Sequence, residues 1–281
     1  MTQAPPGRDR DAETDVAWMA QEAERRRRRA TPRRRRPTAF DPTPYAPSAL
    51  ERARRLWTVR ATAEHESAFI FAALMPFALE AGASLDAQMV IAGMVEDEMR
   101  HALICAGVAR ALGSDPPAPV APPVFPRNAR PVAEQFVGHV IFGNCMTETI
   151  NVARLVDASE HARDPFLREA ILALLADEIR HAKFGFVLLT EWEPWLRAHP
   201  DSVRALDAFL PGAFADLETQ LSGVGASREG YGDDDRALGS PDPTRLPETF
   251  YVTVEQAVVP GLERLGLAAS AAWQARHGVT R

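Results

Sequence analysis

The chain has 281 residues, of which 46% are hydrophobic and 25% are charged, and its formal net charge is −6. This length and apolar content are enough for one large domain with a real core. The chain has only two cysteines, Cys105 and Cys145, which excludes a disulfide framework and any four-cysteine zinc or rubredoxin-type module. No apolar run is long enough to span a membrane and none follows the N-terminal arginines, so we expect a cytoplasmic protein with no membrane partner.

Residues 1–47 are rich in arginine and proline. The first 50 residues carry 11 arginines against 7 acidic residues, which leaves a net charge of −10 for the rest of the chain. Blocks of like charge repel each other and bury little apolar surface, so we predict a disordered tail over 1–47, with at most a short helix around 13–29. The alternative is a segment that docks onto a partner. A negative net charge over the predicted folded part of the chain is not typical of a nucleic-acid-binding fold, so no nucleic-acid partner is expected.

From residue 48 onward the apolar periodicity is helical, and a folded domain is predicted over 48–281. Gly82 ends the first helix, in which Pro76 predicts a kink, and Ser84 is a suitable N-cap for the second. Pro131 suits the first position of the third helix, and Asp164 followed by Pro165 suits the start of the fourth. The predicted helices span residues 48–81, 84–113, 131–161, 165–195, 201–222 and 247–276, the last two being additional to a four-helix core.

The connections restrict the topology of the first four helices. Helices one and two are joined tightly, as are helices three and four, so each pair is antiparallel. The segment 114–130 contains six prolines, and at ~3.1 Å per residue it spans roughly 50 Å. A helix of about 29 residues is ~43 Å long. This linker is therefore long enough to cross the full length of a four-helix bundle.

A six-residue motif occurs in two copies that differ at one position, Asp97-Glu98-Met99-Arg100-His101-Ala102 and Asp177-Glu178-Ile179-Arg180-His181-Ala182. On a helix, positions i and i+3 share a face, so each Glu-x-x-His can direct a carboxylate and an imidazole at one metal ion. Both motifs lie on apolar helix faces, where unpaired carboxylates would cost several kcal/mol each. The alternative, surface pairs on solvated faces, does not explain this placement. The sequence therefore predicts two facing metal-binding helices.

A two-metal site of this kind needs one further carboxylate from each remaining helix. Helix three offers Glu148 on an apolar face. Helix one offers Glu64 or Glu66, and periodicity does not separate the two. Each motif is also preceded by an aspartate, and a metal-bound imidazole usually donates its second N–H to a carboxylate. We therefore expect Asp177 to orient His101 across the bundle and Asp97 to orient His181.

The set Glu64, Glu98, His101, Glu148, Glu178 and His181 resembles the six ligands of the ferritin-like non-heme diiron carboxylate superfamily, which includes rubrerythrins, bacterioferritins and bacterial diiron oxidases and oxygenases. The resemblance covers residues 50–195, and the adjacent Glu64-His65 favours Glu64 over Glu66. It implies an all-α, ferritin-like four-helix bundle of two antiparallel pairs joined by a long crossover. It also implies two iron ions, with a manganese/iron pair as an alternative, and four carboxylates balance two divalent cations.

Three functions are compatible with this sequence. The favoured one is an O₂-activating oxidase or oxygenase that acts on a small organic substrate. Because the chain has no rubredoxin cysteines and no flavin or nicotinamide fingerprint, this function needs an external reductase or a ferredoxin-type donor. The alternatives are ferroxidase or rubrerythrin-like peroxide handling, and a non-catalytic helical interaction protein. The long polar helix faces are compatible with a homodimer.

Overall fold

The structure is a computed structural model that describes Trp18, Gln21, Glu22, residues 39–116 and residues 127–278. All regular secondary structure in these parts of the chain is helical, and the arrangement is a ferritin-like bundle, as predicted. The bundle consists of α1 (Pro47–Ala81), α2 (Leu85–Ala111), α3 (residues 132–161) and α4 (Pro165–Glu191). It is followed by α5 (Glu193–Ala198), α6 (Pro200–Leu221), α7 (Asp233–Ala237), α8 (residues 246–263) and α9 (Ala269–Ala275).

The corners of the bundle form where local sequence predicts them. Gly82 ends α1 with a φ of 76°, a left-handed conformation that glycine adopts without strain. The hydroxyl of Ser84 accepts the amide of Ala87 at 3.2 Å and caps α2. The carboxylate of Asp164 accepts two amides of the first turn of α4, each at 3.0 Å. Pro76 lies inside α1, which continues through it.

The end of α4 differs from the prediction, which carried this helix to residue 195. The α-helix ends at Glu191, and the short α5 begins at Glu193, with Trp192 between the two helices. Pro194 occupies the first turn of α5. Proline has no N–H to donate, so the first turn of a new helix, where no intrahelical bond is needed, accommodates Pro194.

Helix α3 contains a π-helical segment that was not predicted from the sequence. Its first and last parts, Val132–Val140 and Thr149–His161, are α-helical, but Ile141–Glu148 forms a π-helix. A π-segment adds a residue to the turn and changes which side chains face the neighbouring helix. The segment ends at Glu148, one of the predicted metal ligands, so it affects how this carboxylate enters the bundle.

The interior of the bundle is divided into two apolar clusters. The larger one includes Phe71, Met94, Ile141 and Phe184, and the smaller one includes Trp57, Cys105, Leu155 and Leu174. Along α2 and α4, a set of buried polar residues lies between the stretches that contribute to the two clusters: Asp97, Glu98, His101, Asp177, Glu178 and His181. Both cysteines are fully buried and unpaired, and burial raises their thiol pKa, so they serve as core residues.

The C-terminal helices pack on one side of the bundle, mainly against α3. Glu218 of α6 connects them, since it accepts the hydroxyl of Tyr251 at 2.7 Å and pairs with Arg276 at 3.0 Å. The single helix predicted over 247–276 is wrong in one respect. It divides into α8 and α9 at Gly266, whose φ of 81° interrupts the helical backbone.

Part of the N-terminal segment contacts the bundle. The hydroxyl of Tyr45 donates to Asp164 at 3.1 Å, and the amide of Ala46 donates to Asp234 at 2.8 Å. Trp18 packs against the larger apolar cluster, under the ammonium group of Lys183 at 5.1 Å. The disorder predicted for the rest of residues 1–38, and the middle of the crossover at 117–126, fall outside the described residues. Within the described residues, no helix has the length and apolarity to traverse a bilayer.

Candidate metal centre

The six side chains predicted as metal ligands lie close together between the two apolar clusters. They form two overlapping groups of four, and within each group the potential ligand atoms all lie within 4.8 Å of one another. The first group is Glu64, Glu98, His101 and Glu178, and the second is Glu98, Glu148, Glu178 and His181. Each of the four bundle helices therefore contributes at least one carboxylate.

Two of the carboxylates, Glu98 and Glu178, belong to both groups. They come from the two Glu-x-x-His motifs, on helices α2 and α4. Glu64 and His101 belong only to the first group, and Glu148 and His181 only to the second. This arrangement has the symmetry expected of two similar helix pairs. It provides two adjacent four-ligand sites that share Glu98 and Glu178.

The structure distinguishes the two candidate carboxylates of α1. Glu64 Oε2 lies 3.7 Å from His101 Nδ1, whereas Glu66 belongs to neither ligand group. Val59 and Ile70 share a helix face with Glu66, and their side chains are 67% and 37% exposed. The face of Glu64 is the one that carries the fully buried Trp57 and Ala68. Tertiary packing therefore turns Glu64 toward the other ligands and Glu66 away from them.

Each imidazole directs one nitrogen at the glutamates and the other at an aspartate. His101 Nδ1 lies 3.2 Å from Glu178 Oε1, and His181 Nδ1 lies 2.9 Å from Glu98 Oε1. On the opposite edge of each ring, His101 Nε2 is 3.3 Å from Asp177 Oδ2, and His181 Nε2 is 3.4 Å from Asp97 Oδ2. These are the cross-bundle pairs expected from the repeated aspartates. They leave Nδ1 of each ring for a metal ion.

Two arginines neutralise these aspartates. Arg100 pairs with Asp97 at 2.6 Å and also contacts Asp177, so it joins the two motifs. Arg180 pairs with Asp177 and, at 3.2 Å, with the buried carboxylate of Glu22 in the N-terminal segment. Because Asp97 and Asp177 have arginine partners, the four glutamates are left to balance the charge of a bound cation pair.

Without a cation, the cluster must be partly protonated. Burial and the charges of Glu98 and Glu178 raise the pKa of Glu64 to about 8, and burial also raises the pKa of Glu148. For His101, burial alone would lower the pKa, but the three glutamate carboxylates close to Nδ1 outweigh it and raise this pKa to about 12. Protons therefore compensate here for negative charge that a metal ion would otherwise balance.

This protonation has a consequence for the stability of metal-free protein. Folded Glu64 holds its proton up to pH about 8, whereas an unfolded glutamate releases it near 4.5. The folded state then binds more protons in this window, so the free energy of unfolding falls as pH rises through it. The raised pKa of His101 acts in the same direction above 6.5. We expect chelator-treated protein to show this decline in denaturant titrations at pH 6.5, 7, 7.5 and 8, above the range in which the lowered pKa of His139 acts in the opposite direction. A stability that rises across this range would contradict the assignment.

The donor atoms fit a pair of divalent cations. Within the described residues, both carboxylate oxygens of Glu98 and Nδ1 of His101 are buried with no hydrogen bond of acceptable geometry. Buried polar atoms of this kind need a partner, and a cation placed among them supplies one. The mixed oxygen and nitrogen donors suit iron or manganese, and four carboxylates neutralise two divalent ions.

The aspartate contacts carry a testable expectation. Asparagine at position 177 would replace the negatively charged carboxylate beside His101 Nε2 with a neutral amide. His101 would then be a weaker and less well oriented ligand. We expect Asp177→Asn to reduce iron affinity by ~10- to 100-fold, as measured by competition with a chromophoric chelator. Glu96→Gln is the matched control, because Glu96 is exposed on α2 beside Asp97. Equal affinity in Asp177→Asn and Glu96→Gln would contradict this role.

Asn144, which was not predicted as a site residue, supports the centre from the π-segment. Asn144 is fully buried, and its amide donates to the backbone carbonyl of His181 at 3.1 Å. Gly185, one turn after His181, allows this close approach of α3 to α4. A Cβ at this position would lie 2.7 Å from both Asn144 Cβ and Cys145 Sγ. An asparagine on an apolar face is the signal that would have indicated Asn144, whereas nothing local indicates the π-segment.

The fold and the cluster together define a class of protein, a ferritin-like helical bundle with carboxylate and histidine side chains arranged compatibly with a diiron site. No protein-family model matches the chain, and no curated protein is significantly similar to it. Among solved structures, the chain is similar to protein 19 with aldehyde deformylating oxidase activity from Synechococcus. That similarity has a TM-score of 0.54 and 18% identity, and covers 83% of this chain and 98% of that one. At this identity it demonstrates a shared fold.

Proposed function

We propose that this protein is a two-iron, O₂-activating oxidase or oxygenase that acts on a small organic substrate and receives electrons from a separate donor. The observation that carries the proposal is the pair of four-ligand groups that share Glu98 and Glu178. Two bound iron ions would supply the reductive activation of O₂, chemistry that amino-acid side chains alone do not provide.

The chain's own residues would hold and insulate that ion pair. Glu64 with His101 and Glu148 with His181 would each hold one ion, and Glu98 and Glu178, which belong to both ligand groups, would contribute to holding both. Asp177 and Asp97 hold the two imidazoles through Nε2, which orients Nδ1 toward the ions. The apolar clusters above and below this level keep bulk water away from the ligands. No separate general base is identified, so a proton released in the reaction would be accepted by one of the carboxylates.

Two further features support oxidase or oxygenase chemistry. The solved structure with the shared fold is described as having aldehyde deformylating oxidase activity. The chain also has helices beyond a four-helix bundle, and these pack on α3 beside the ligand level. An external electron donor is proposed because Cys105 and Cys145 are both buried, unpaired and on different helices. They do not form a rubredoxin-type centre.

The test is an anaerobic titration with Fe(II), followed by mixing with O₂ in a stopped-flow spectrometer. We expect saturation at two irons per chain and a visible absorption band that appears with O₂ and persists when no organic substrate is present. Glu66→Gln should behave like the unmodified protein, since Glu66 lies outside the cluster. A double variant, Glu178→Gln with His181→Leu, should remain folded and lose both signals.

Two other outcomes would contradict the proposal. Oxidation of Fe(II) that continues well beyond two ions per chain, without a persistent absorption band, would indicate iron handling of the ferroxidase type. Failure to bind iron in the unmodified protein, with no difference between it and the double variant, would indicate a non-catalytic helical protein.

A further inference from the structure

Among the described residues, one arginine of α1 and one of α3 are partly buried and have no acidic partner. Arg60 Nη1 and Arg154 Nε are both buried and have no hydrogen-bond partner among the described residues. Within the described residues, neither guanidinium forms an ion pair, although most other arginines of the domain do so. An unsatisfied buried donor costs free energy, and more so when it is charged. This pair therefore needs an explanation.

The surroundings hold both guanidinium groups in place without satisfying them. Arg154 donates through Nη2 to the carbonyl oxygen of Leu221, the last residue of α6. Arg60 lies over the ring of Trp57, with its central carbon 4.9 Å from the ring centroid. Trp57 Nε1 is itself buried with no hydrogen-bond partner among the described residues. Three buried N–H groups, those of Arg60 Nη1, Arg154 Nε and Trp57 Nε1, therefore lack an acceptor among the described residues. These side chains cannot satisfy one another, because arginine and tryptophan only donate.

The two positive charges also influence each other. Burial lowers the pKa of Arg154, and the charge of Arg60 lowers it further. The two positive charges repel each other, and the partly buried environment weakens the solvent screening of that repulsion. A bound anion would remove the repulsion and accept the unsatisfied N–H groups at the same time.

The arginine pair lies beside the candidate metal centre. Arg60 is one turn before Glu64, a rise of ~6 Å, and Arg154 is six residues after Glu148, a rise of ~9 Å. Both displacements are toward the same end of the bundle, because the contact of Tyr45 with Asp164 brings the start of α1 to the end of α3. Cys105 experiences the charges of both Glu64 and Arg60, so these groups share one neighbourhood.

The wall of this region is apolar. Ala61, Cys105 and Leu155 belong to the smaller apolar cluster, together with Trp57. An anion that binds here would meet two guanidinium groups at one end and hydrocarbon surface toward the ligand level. This combination fits an organic carboxylate better than a free inorganic anion, which would leave the apolar wall without a partner.

We propose that Arg60 and Arg154 bind the carboxylate of the organic substrate and thereby direct its hydrocarbon part toward the metal centre. This inference rests on the proposed function and identifies the substrate class as a small carboxylic acid. The separation of ~6–9 Å along the bundle axis corresponds to the length of a chain or ring of a few carbon atoms between the carboxylate and the oxidised position. α6 has a specific role here, because its terminal carbonyl orients Arg154.

The test measures binding and does not depend on iron or O₂, so it can fail independently of the proposed function. Hexanoate is titrated into full-length, chelator-treated protein, and binding is followed by calorimetry and by the shift in melting temperature. Hexan-1-ol and inorganic phosphate are the comparison probes. We expect hexanoate to bind more tightly than either. Loss of one charge-assisted contact in Arg60→Gln or Arg154→Gln should weaken hexanoate binding by ~10- to 100-fold.

The matched control is Arg55→Gln, because Arg55 is on the same helix and its side chain is 65% exposed. Its hexanoate affinity should equal that of the unmodified protein. Arg60→Gln removes a buried unsatisfied donor, so it should melt no lower than the unmodified protein without ligand, which excludes unfolding as the cause of lost binding. Unchanged hexanoate affinity in both glutamine variants, or tighter binding of hexanol or phosphate than of hexanoate, would overturn the inference.

If hexanoate binds as expected but the iron titration fails, the carboxylate site remains and the oxidase proposal is wrong. If iron and O₂ behave as proposed but hexanoate does not bind, the oxidase proposal remains and its substrate is of another class.

Discussion

The Glu178→Gln variant is expected to lose both metal ions from each chain. Glu178 lies in both four-ligand groups, and its carboxylate oxygens lie 3.2 Å from His101 Nδ1 and 3.1 Å from His181 Nδ1. Those contacts overcome burial and lower the pKa of Glu178, so it remains ionised among its protonated neighbours. Replacing it with an amide removes one negative charge from each ion's surroundings while it preserves the size of the side chain. Metal content after anaerobic loading and desalting measures the effect.

A variant on one side of the centre provides the comparison. Glu148 belongs only to the group that contains His181, so Glu148→Gln should retain one ion per chain. Glu66→Gln should retain two, because Glu66 shares its side of α1 with exposed residues. Retention of two ions by Glu178→Gln, or equal losses in Glu178→Gln and Glu66→Gln, would show that the shared carboxylates are not the basis of the site.

The second large effect is expected from Gly185→Ala. A methyl group at this position would lie 2.7 Å from Asn144 Cβ and 3.0 Å from the backbone nitrogen of Cys145. Backbone cannot move aside as easily as a flexible side chain, so α3 and α4 must separate. Overpacking of this kind costs about 1–3 kcal/mol, which in a domain of this size lowers the melting temperature by roughly 2–12 °C. The shift also moves the π-segment that ends at Glu148, so iron affinity should fall.

Gly143→Ala is the matched control for this substitution. Gly143 lies in the same π-segment, and a Cβ there would have no heavy atom within 4 Å. Alanine is also preferred to glycine in helices by ~1 kcal/mol. Gly143→Ala should therefore melt at or above the temperature of the unmodified protein, with two irons bound. Similar losses in both variants would indicate a general sensitivity of α3, and a stable Gly185→Ala would contradict the close-packing argument.

Much of the fold follows from local signals in the sequence. Gly82, Ser84 and Asp164 limit the helices because a left-handed glycine and a side-chain cap act within a few residues. The expected antiparallel pairs follow from the shortness of two of the connections. By contrast, the break at Gly266 was not predicted, since a glycine inside an apolar pattern is compatible with a continuous helix.

The candidate site is also partly readable from local spacing. The two Glu-x-x-His motifs and their preceding aspartates are repeated, so Glu98, His101, Glu178 and His181 could be proposed as a set. Whether they bind iron stays a prediction. Arg60 and Arg154 could not be identified in this way, because they are far apart in the sequence and each alone is an ordinary helical arginine. What distinguishes them is that each has a buried, unsatisfied N–H and no acidic partner among the described residues.

The sequence by itself determined the helix pairs and the repeated motif, because caps, turns and i, i+3 spacing are properties of short segments. The tertiary structure decided the rest. It turned Glu64 toward the other ligands and Glu66 away, since the rotation of α1 depends on the packing of Trp57 and Ala68 against other helices. It also set the π-segment beside Gly185 and brought Asp97 to His181 and Asp177 to His101. Such contacts join residues distant in the chain, so helical periodicity cannot specify them.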